Sequence, residues 1–120
     1  MLTLDSIVLY VDNVQVSQTF YTETFNCTAQ VLSPTFVALD FATNVKITLK
    51  QTSDLAPISN ITGGGTELSI PVPDKASFDK LYRDWTEQGV QFAQSPEEMI
   101  FGFNFVALDP DGHRIRVFTA

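Results

Sequence analysis

Phe36-Val37-Ala38-Leu39-Asp40 recurs as Phe105-Val106-Ala107-Leu108-Asp109, and each copy runs through a turn into a strand of alternating apolar residues. Self-similarity at this scale is the signature of a duplicated module. The upstream pieces agree: Ser6-Ile7-Val8-Leu9-Tyr10-Val11 lies over Glu67-Leu68-Ser69-Ile70-Pro71-Val72, and the same displacement brings Phe20-Tyr21 onto Leu81-Tyr82. Two matched modules facing each other would make a cleft, and junctions of this kind are where small ligands usually sit.

Each module reads as strand, helix and three strands. In the first, Ile7, Leu9 and Val11 alternate along a strand, and Asp12-Asn13 supplies an acceptor to cap a helix that runs to about Phe25. Strands follow around Thr28–Leu32, Thr35–Phe41 and Val45–Gln51. Residues 53–65 hold Pro57 and three consecutive glycines and read as a linker, dividing the single domain into a module of about 1–52 and another of about 66–120. In the second module Thr66–Val72 is a strand and Asp74 a helix cap. Phe78, Leu81, Tyr82 and Trp85 make a helical stripe, and Gly89 closes it. Strands near Val90–Ala93, Phe103–Asp109 and His113–Thr119 complete the order, the last two joined by Pro110-Asp111-Gly112.

A chain of 120 residues, 44% hydrophobic, buries one ordinary core. Fourteen acidic residues against 7 basic give a net charge of −7, which disfavours nucleic acid and anionic membranes, since both attract a positive field. No apolar run approaches the roughly 20 residues of a membrane span, and Met1-Leu2-Thr3-Leu4-Asp5 lacks the pattern of a signal peptide, so a cytoplasmic protein is expected. The single cysteine, Cys27, has no His or Cys at ligand spacing and reads as a small buried hydrophobe.

Strand parity separates two faces. One list is aliphatic: Ile7, Leu9 and Val11; Val37 and Leu39; Val45, Ile47 and Leu49; Leu68, Ile70 and Val72; Val106 and Leu108; Ile115 and Val117. This face is expected to pack under the helices. The other list mixes polar and aromatic side chains, including Tyr10, Phe36, Phe103, Phe105 and Phe118. Exposed rings would each forfeit roughly 1.5–3 kcal/mol relative to burial, so a curled mixed sheet with an aromatic concave pocket, helices on its outer face, is the expected α+β architecture.

The two βαβββ units and the closing run Phe105-Val-Ala-Leu-Asp-Pro-Asp-Gly-His-Arg-Ile-Arg-Val-Phe118 resemble the vicinal oxygen chelate superfamily, the glyoxalase/bleomycin resistance protein/dioxygenase group. The resemblance spans essentially the whole chain. It implies a small-molecule site, commonly completed by a partner chain in a homodimer, and metal ligands at positions that here read Ser6, Thr48, Glu67 and Arg116. Only Glu67 is a usual ligand, and an arginine cannot donate a lone pair to a cation. No cofactor and no metal site are therefore expected. Arg116 and Glu67 at facing family positions are expected to form an ion pair holding the two modules together, or else to leave Arg116 free for a carboxylate or phosphonate.

The residues expected to line the cleft are Ser6, Tyr10, Phe36, Thr48, Glu67, Phe103, Phe105 and Arg116. Lys46, Lys50, Arg114 and Arg116 share that parity and favour an anionic, partly aromatic ligand. The acidic surplus and Trp85 would instead suit a cationic drug, although Trp85 also continues the buried helical stripe. His113, the only histidine, belongs to the closing turn. The leading reading is a metal-independent binding protein that sequesters an antibiotic or anionic metabolite. Two alternatives stand beside it: a glyoxalase-like lyase or isomerase with Glu67 as general base, and a structural dimerisation module with a filled interior.

Overall fold

A computed structural model describes residues 1–100 and 102–120, which separate into two units, Met1–Gly63 and Gly64–Ala120. The first unit runs β1 (Ser6–Val11), α1 (Val14–Thr24), β2 (Thr28–Ser33), β3 (Phe36–Asp40) and β4 (Lys46–Gln51). The second runs β5 (Glu67–Pro71), α2 (Lys75–Glu87), β6 (Gln91–Met99), β7 (Gly102–Leu108) and β8 (Arg114–Thr119). Each carries its own four-stranded mixed sheet, in the order β1-β4-β3-β2 and β5-β8-β7-β6. The first strand of each unit pairs in parallel with the last, and the other neighbours are antiparallel.

In the first unit Asn13 caps α1 by accepting the amides of Gln15 and Val16, both at 3.1 Å. Tyr21 on that helix is fully buried and stacks on Phe25 and on Phe41, which shares its parity with Val37 and Leu39. Leu9, Val11, Val37, Leu39, Ile47 and Leu49 are all buried beneath α1, whereas Ile7 and Val45 of the same expected face, at the strand starts, are exposed and half-buried. Cys27 is only half buried; desolvation pushes its thiol up from the ordinary range.

In the second unit Asp74 caps α2 by accepting the Ser77 amide at 2.7 Å, and that bond holds its carboxyl below the ordinary 3.8. A carboxylate depressed by folding contributes stability that is complete above its unfolded pKa and is lost as pH falls through the folded one. Asp74→Ala is therefore expected to lower the thermal midpoint by a few degrees at pH 7, and the gap between mutant and wild type should close as pH drops below about 4. Calorimetric melts across pH 2.5–7 check this; a gap independent of pH would refute the assignment.

Beneath α2, Phe105 is fully buried and touches Phe78, Tyr82, Trp85 and Phe92, with ring centroids 5.2–5.7 Å apart. Phe78 also meets Phe103. This corrects the parity reading of β7. Cross-strand partners share a face, and the register pairs Phe105 with Val117 and Val106 with Arg116. Phe103 and Phe105 therefore belong to the helix-packed face, while Asn104, Val106 and Leu108 take the other.

The pentapeptide repeat is out of step with the structural one. In the first unit Ala38 stands opposite Thr48; in the second Val106 stands opposite Arg116, and Thr48 corresponds to Arg116 through the β1 and β5 pairings. Val37 is thus the counterpart of Phe105, and Phe36 of Asn104. A one-residue slip sends every side chain to the opposite face.

β6 is also longer than expected, extending through Ser95-Pro96-Glu97-Glu98 to Met99. It is an edge strand, interrupted by register shifts between Phe92 and Gln94 and between Gln94 and Glu97, and at an edge a proline and exposed charges are tolerated because one side of the ladder needs no partner.

The Asp109–Gly112 turn explains the lone histidine. Asp109 accepts the amides of Asp111 (2.9 Å) and His113 (2.8 Å) through Oδ1, and Nδ1 of His113 lies 2.8 Å from its Oδ2, with both side chains buried. Gly112 sits at φ +82°, where a side chain would be strained.

Candidate functional site

On the face of the second sheet turned away from α2, one polar side chain from each strand joins a continuous network. Glu67 of β5 accepts the Nε–H of Arg116 of β8 at 3.0 Å. Nη1 of Arg116 donates to Oδ1 of Asn104 on β7, and the same oxygen accepts from Nε2 of Gln94 on β6 at 2.9 Å. Gln94 also donates to the Asn104 carbonyl at 3.3 Å. Two donors on one atom fix the amide: Oδ1 must be the acceptor, which leaves Nδ2 as the free end. That Nδ2 is buried and has no hydrogen-bond partner among the described residues, in a side chain only 4% exposed.

Beside this network is a recess of about 300 Å³ lined by Asn104, Arg116, Phe103, Phe118, Met99 and Thr119. Such a volume is at the lower end of the roughly 300–1,000 Å³ typical of small-ligand sites. Its rim is apolar and wet, with Met99 54% and Phe118 39% exposed, so it offers hydrophobic walls, part of a ring and one polar end. The amine of Lys75 stands 4.7 Å from the Phe103 ring while paired with Asp79.

The expected ion pair exists, but both partners lie on adjacent strands of one sheet. It braces β5 against β8 within the second unit rather than joining the two modules. Its side chains are 29% and 35% exposed, so it is only partly desolvated and its energetic weight is modest.

The remaining expected residues lie on the first unit. Tyr10, Lys50 and Phe36 stand side by side across β1, β4 and β3, with Thr48 on the next rung of the same face and Ser6 paired in register with Lys46. Thr48 is 2% exposed, and its Oγ1 is buried without a hydrogen-bond partner among the described residues. Lys50 is committed locally: its amine contacts Thr35 Oγ1 at 3.0 Å and Asp54 at 3.2 Å and lies 5.7 Å from the Phe36 ring. The Thr35 hydroxyl, and then Lys50, hold the Asp54 carboxyl below its ordinary value. A second recess of about 520 Å³ has a mixed lining, polar at Thr28, Gln30, Asp40, Asn44 and Lys46 and apolar at Leu39 and Val45.

Of the expected site residues, Glu67 and Arg116 meet in the network and Phe103 borders its recess. Phe105, fully buried under α2, lines nothing open. Asn104 and Gln94 were not anticipated. The available signal was Asn104 itself: on a strand whose phenylalanines pack beneath a helix, the asparagine between them must face the other way.

A divalent cation does not fit the family's ligand positions here. They provide two hydroxyls, a permanent cation and one carboxylate already engaged by that cation. Among the described residues no group of three or more His, Cys, Asp or Glu is placed to hold a metal. Nor is any helix long and apolar enough to cross a membrane.

The family model of the Glyoxalase/Bleomycin resistance protein/Dioxygenase superfamily matches residues 3–117. The phenazine antibiotic resistance protein of Enterobacter agglomerans is 30% identical over 113 residues, covering 92% of this chain and 86% of that one. A protein of Agrobacterium tumefaciens solved by NMR superposes with a TM-score of 0.87 at 37% identity, covering 99% of this chain and 98% of the other. A glyoxalase-related enzyme from Fulvimarina pelagi shares the fold at 17% identity, with a TM-score of 0.86 and coverage of 100% and 89%.

Proposed function

This chain belongs to the Glyoxalase/Bleomycin resistance protein/Dioxygenase superfamily, and from that premise we propose that it is a metal-independent small-molecule binding protein, sequestering an aromatic antibiotic or a related anionic metabolite in the cytoplasm. The observation that carries this reading is the kinship, along nine-tenths of the chain, with a protein named for resistance to phenazine antibiotics. Phenazines are flat, three-ring heteroaromatics, and they need what the second unit offers: apolar wall for the ring system and a polar end for its substituents. Phe118 and Met99 supply the wall; Arg116 and Asn104 supply the end. A protein that only holds its ligand needs no reacting group, which agrees with an arginine and two hydroxyls standing where metal-dependent relatives keep ligands. We include in the proposal a homodimeric state, to be read by sedimentation equilibrium.

Titration of phenazine-1-carboxylate, followed by calorimetry and thermal shift, tests the reading. Saturable binding is expected, with the probe at 100 times its dissociation constant stabilising the fold by about 2.7 kcal/mol. In Arg116→Gln the affinity should fall about tenfold, reducing that stabilisation to about 1.4 kcal/mol at the same concentration. Absence of any shift with phenazines bearing acidic, neutral or basic substituents would refute the proposal.

A glyoxalase-like lyase or isomerase would require Glu67 to take a proton from carbon. Its Oε2 instead accepts the Nε–H of Arg116. The hemithioacetal of methylglyoxal and glutathione is expected to pass unconverted, with or without added zinc or nickel; turnover that disappears in Glu67→Gln would favour the enzyme.

A further inference from the structure

Asn104 presents an unusual combination. It is only 4% exposed, it lines the recess, its side-chain oxygen is held by two donors, and its Nδ2 donates to nothing among the described residues. An unpaired buried donor costs on the order of 1–3 kcal/mol, so a site that retains one is complementary to something that arrives with an acceptor. Arg116 stands beside it. Its Nε–H is taken by Glu67 and one Nη1 hydrogen by Asn104, so the second Nη1 hydrogen and both on Nη2 are still able to donate. Asn104 and Arg116 therefore offer N–H groups to the same recess, and Glu67 has already balanced the charge of the arginine.

We infer that Asn104 is a specificity residue of this recess, selecting ligands by a hydrogen-bond acceptor on the edge of an aromatic ring system rather than by negative charge. This deepens the binding reading above and rests on it for the identity of the ring system. The distinction from a bare arginine site is physical. An unpaired Arg116 would reward a carboxylate over a neutral carbonyl through Coulomb attraction, whereas the Glu67–Arg116–Asn104–Gln94 chain presents donors with almost no net field. An exocyclic carbonyl and an exocyclic carboxylate, whose oxygens project beyond the ring edge where a ring nitrogen does not, then count as equivalents, and a group that only donates is rejected because it leaves Nδ2 unpaired.

The test compares phenazine, phenazine-1-carboxamide, phenazine-1-carboxylate and 1-aminophenazine on the full chain. In wild type the carboxamide and the carboxylate should bind within about threefold of each other and each about tenfold or more tighter than phenazine or 1-aminophenazine. Asn104→Asp keeps the size and the acceptor for Arg116 and Gln94 but replaces the donor by a charge. It should reject the carboxylate at least tenfold while tolerating the carboxamide, whose amino group can donate in return. Asn104→Leu, checked for folding by its circular dichroism and melt, removes Nδ2 and releases Nη1 of Arg116, so the near-equivalence should be lost and the carboxylate should bind at least tenfold tighter than the carboxamide.

Side-chain NMR separates this inference from the ligand reading. Titration with benzoate and with benzamide should move the Asn104 Nδ2–H₂ and Arg116 Nε–H resonances saturably, and benzylamine should not. If those resonances respond while no phenazine binds, the phenazine reading falls and the anchor stands. If phenazines bind while the resonances stay still, or the Asn104→Asp preference is unchanged, or the amide protons show only exchange with an ordered water, the inference is overturned.

Discussion

Phe105→Ala is expected to destabilise the protein by about 4 kcal/mol, and Phe36→Ala, the same change at the matching position of the sequence repeat, by only about 1 kcal/mol. Phe105 is fully buried, and its ring touches four others, three of them on α2, so its removal leaves a cavity that the helix cannot collapse to fill. Phe36 is half exposed and faces away from α1, with Lys50 over its ring. The contrast follows from the one-residue slip between the pentapeptide copies. Urea unfolding of both variants measures it, with Phe105→Leu, expected to lose only about 1–1.5 kcal/mol, as the variant that remains folded if alanine does not. Equal losses at the two positions would mean that the copies share a face after all.

The second large effect concerns the other end of the same repeat. Asp109→Ala should cost about 3 kcal/mol and lower the thermal midpoint by roughly 10 °C, while Asp40→Ala should stay within about 0.5 kcal/mol of wild type. Asp109 is 5% exposed and accepts two backbone amides, besides its contact with the buried His113 ring. Its loss orphans all three donors in the turn that positions β8, and with it Arg116. Asp40 is exposed, and its carboxylate meets Thr28 at a long 3.4 Å. Because the recess is lined by other residues, Asn104, Arg116 and Phe118 among them, the variant should still bind phenazine-1-carboxylate below its own melting range. A stable Asp109→Ala protein would show that water replaces the carboxylate without loss.

Much of the fold was legible in the chain because its signals are local. Asn13 and Asp74 cap helices through their own side chains, and Phe78, Leu81, Tyr82 and Trp85 recur at the helical period. Gly89 sits at φ +84°, a conformation few other residues adopt. The strand expected near Val90–Ala93 runs on through Ser95-Pro96-Glu97, and its place at the sheet edge makes that composition acceptable in a strand. For the site, Glu67 and Arg116 were identified by family position, whereas Asn104 and Gln94 could not be, since their importance comes from meeting across β6, β7 and β8.

The sequence by itself determined the duplicated order of elements and the caps and turns that delimit them, since each is a property of a residue or of a short spacing. Only the tertiary structure decided which face of β7 turns inward. Along that strand both parities are apolar, Phe103 and Phe105 on one and Val106 and Leu108 on the other, so periodicity alone gives two equivalent answers. The hydrogen-bond register with β8 and the ring-lined underside of α2 select the phenylalanines for the core, and that choice delivers Asn104 to Arg116.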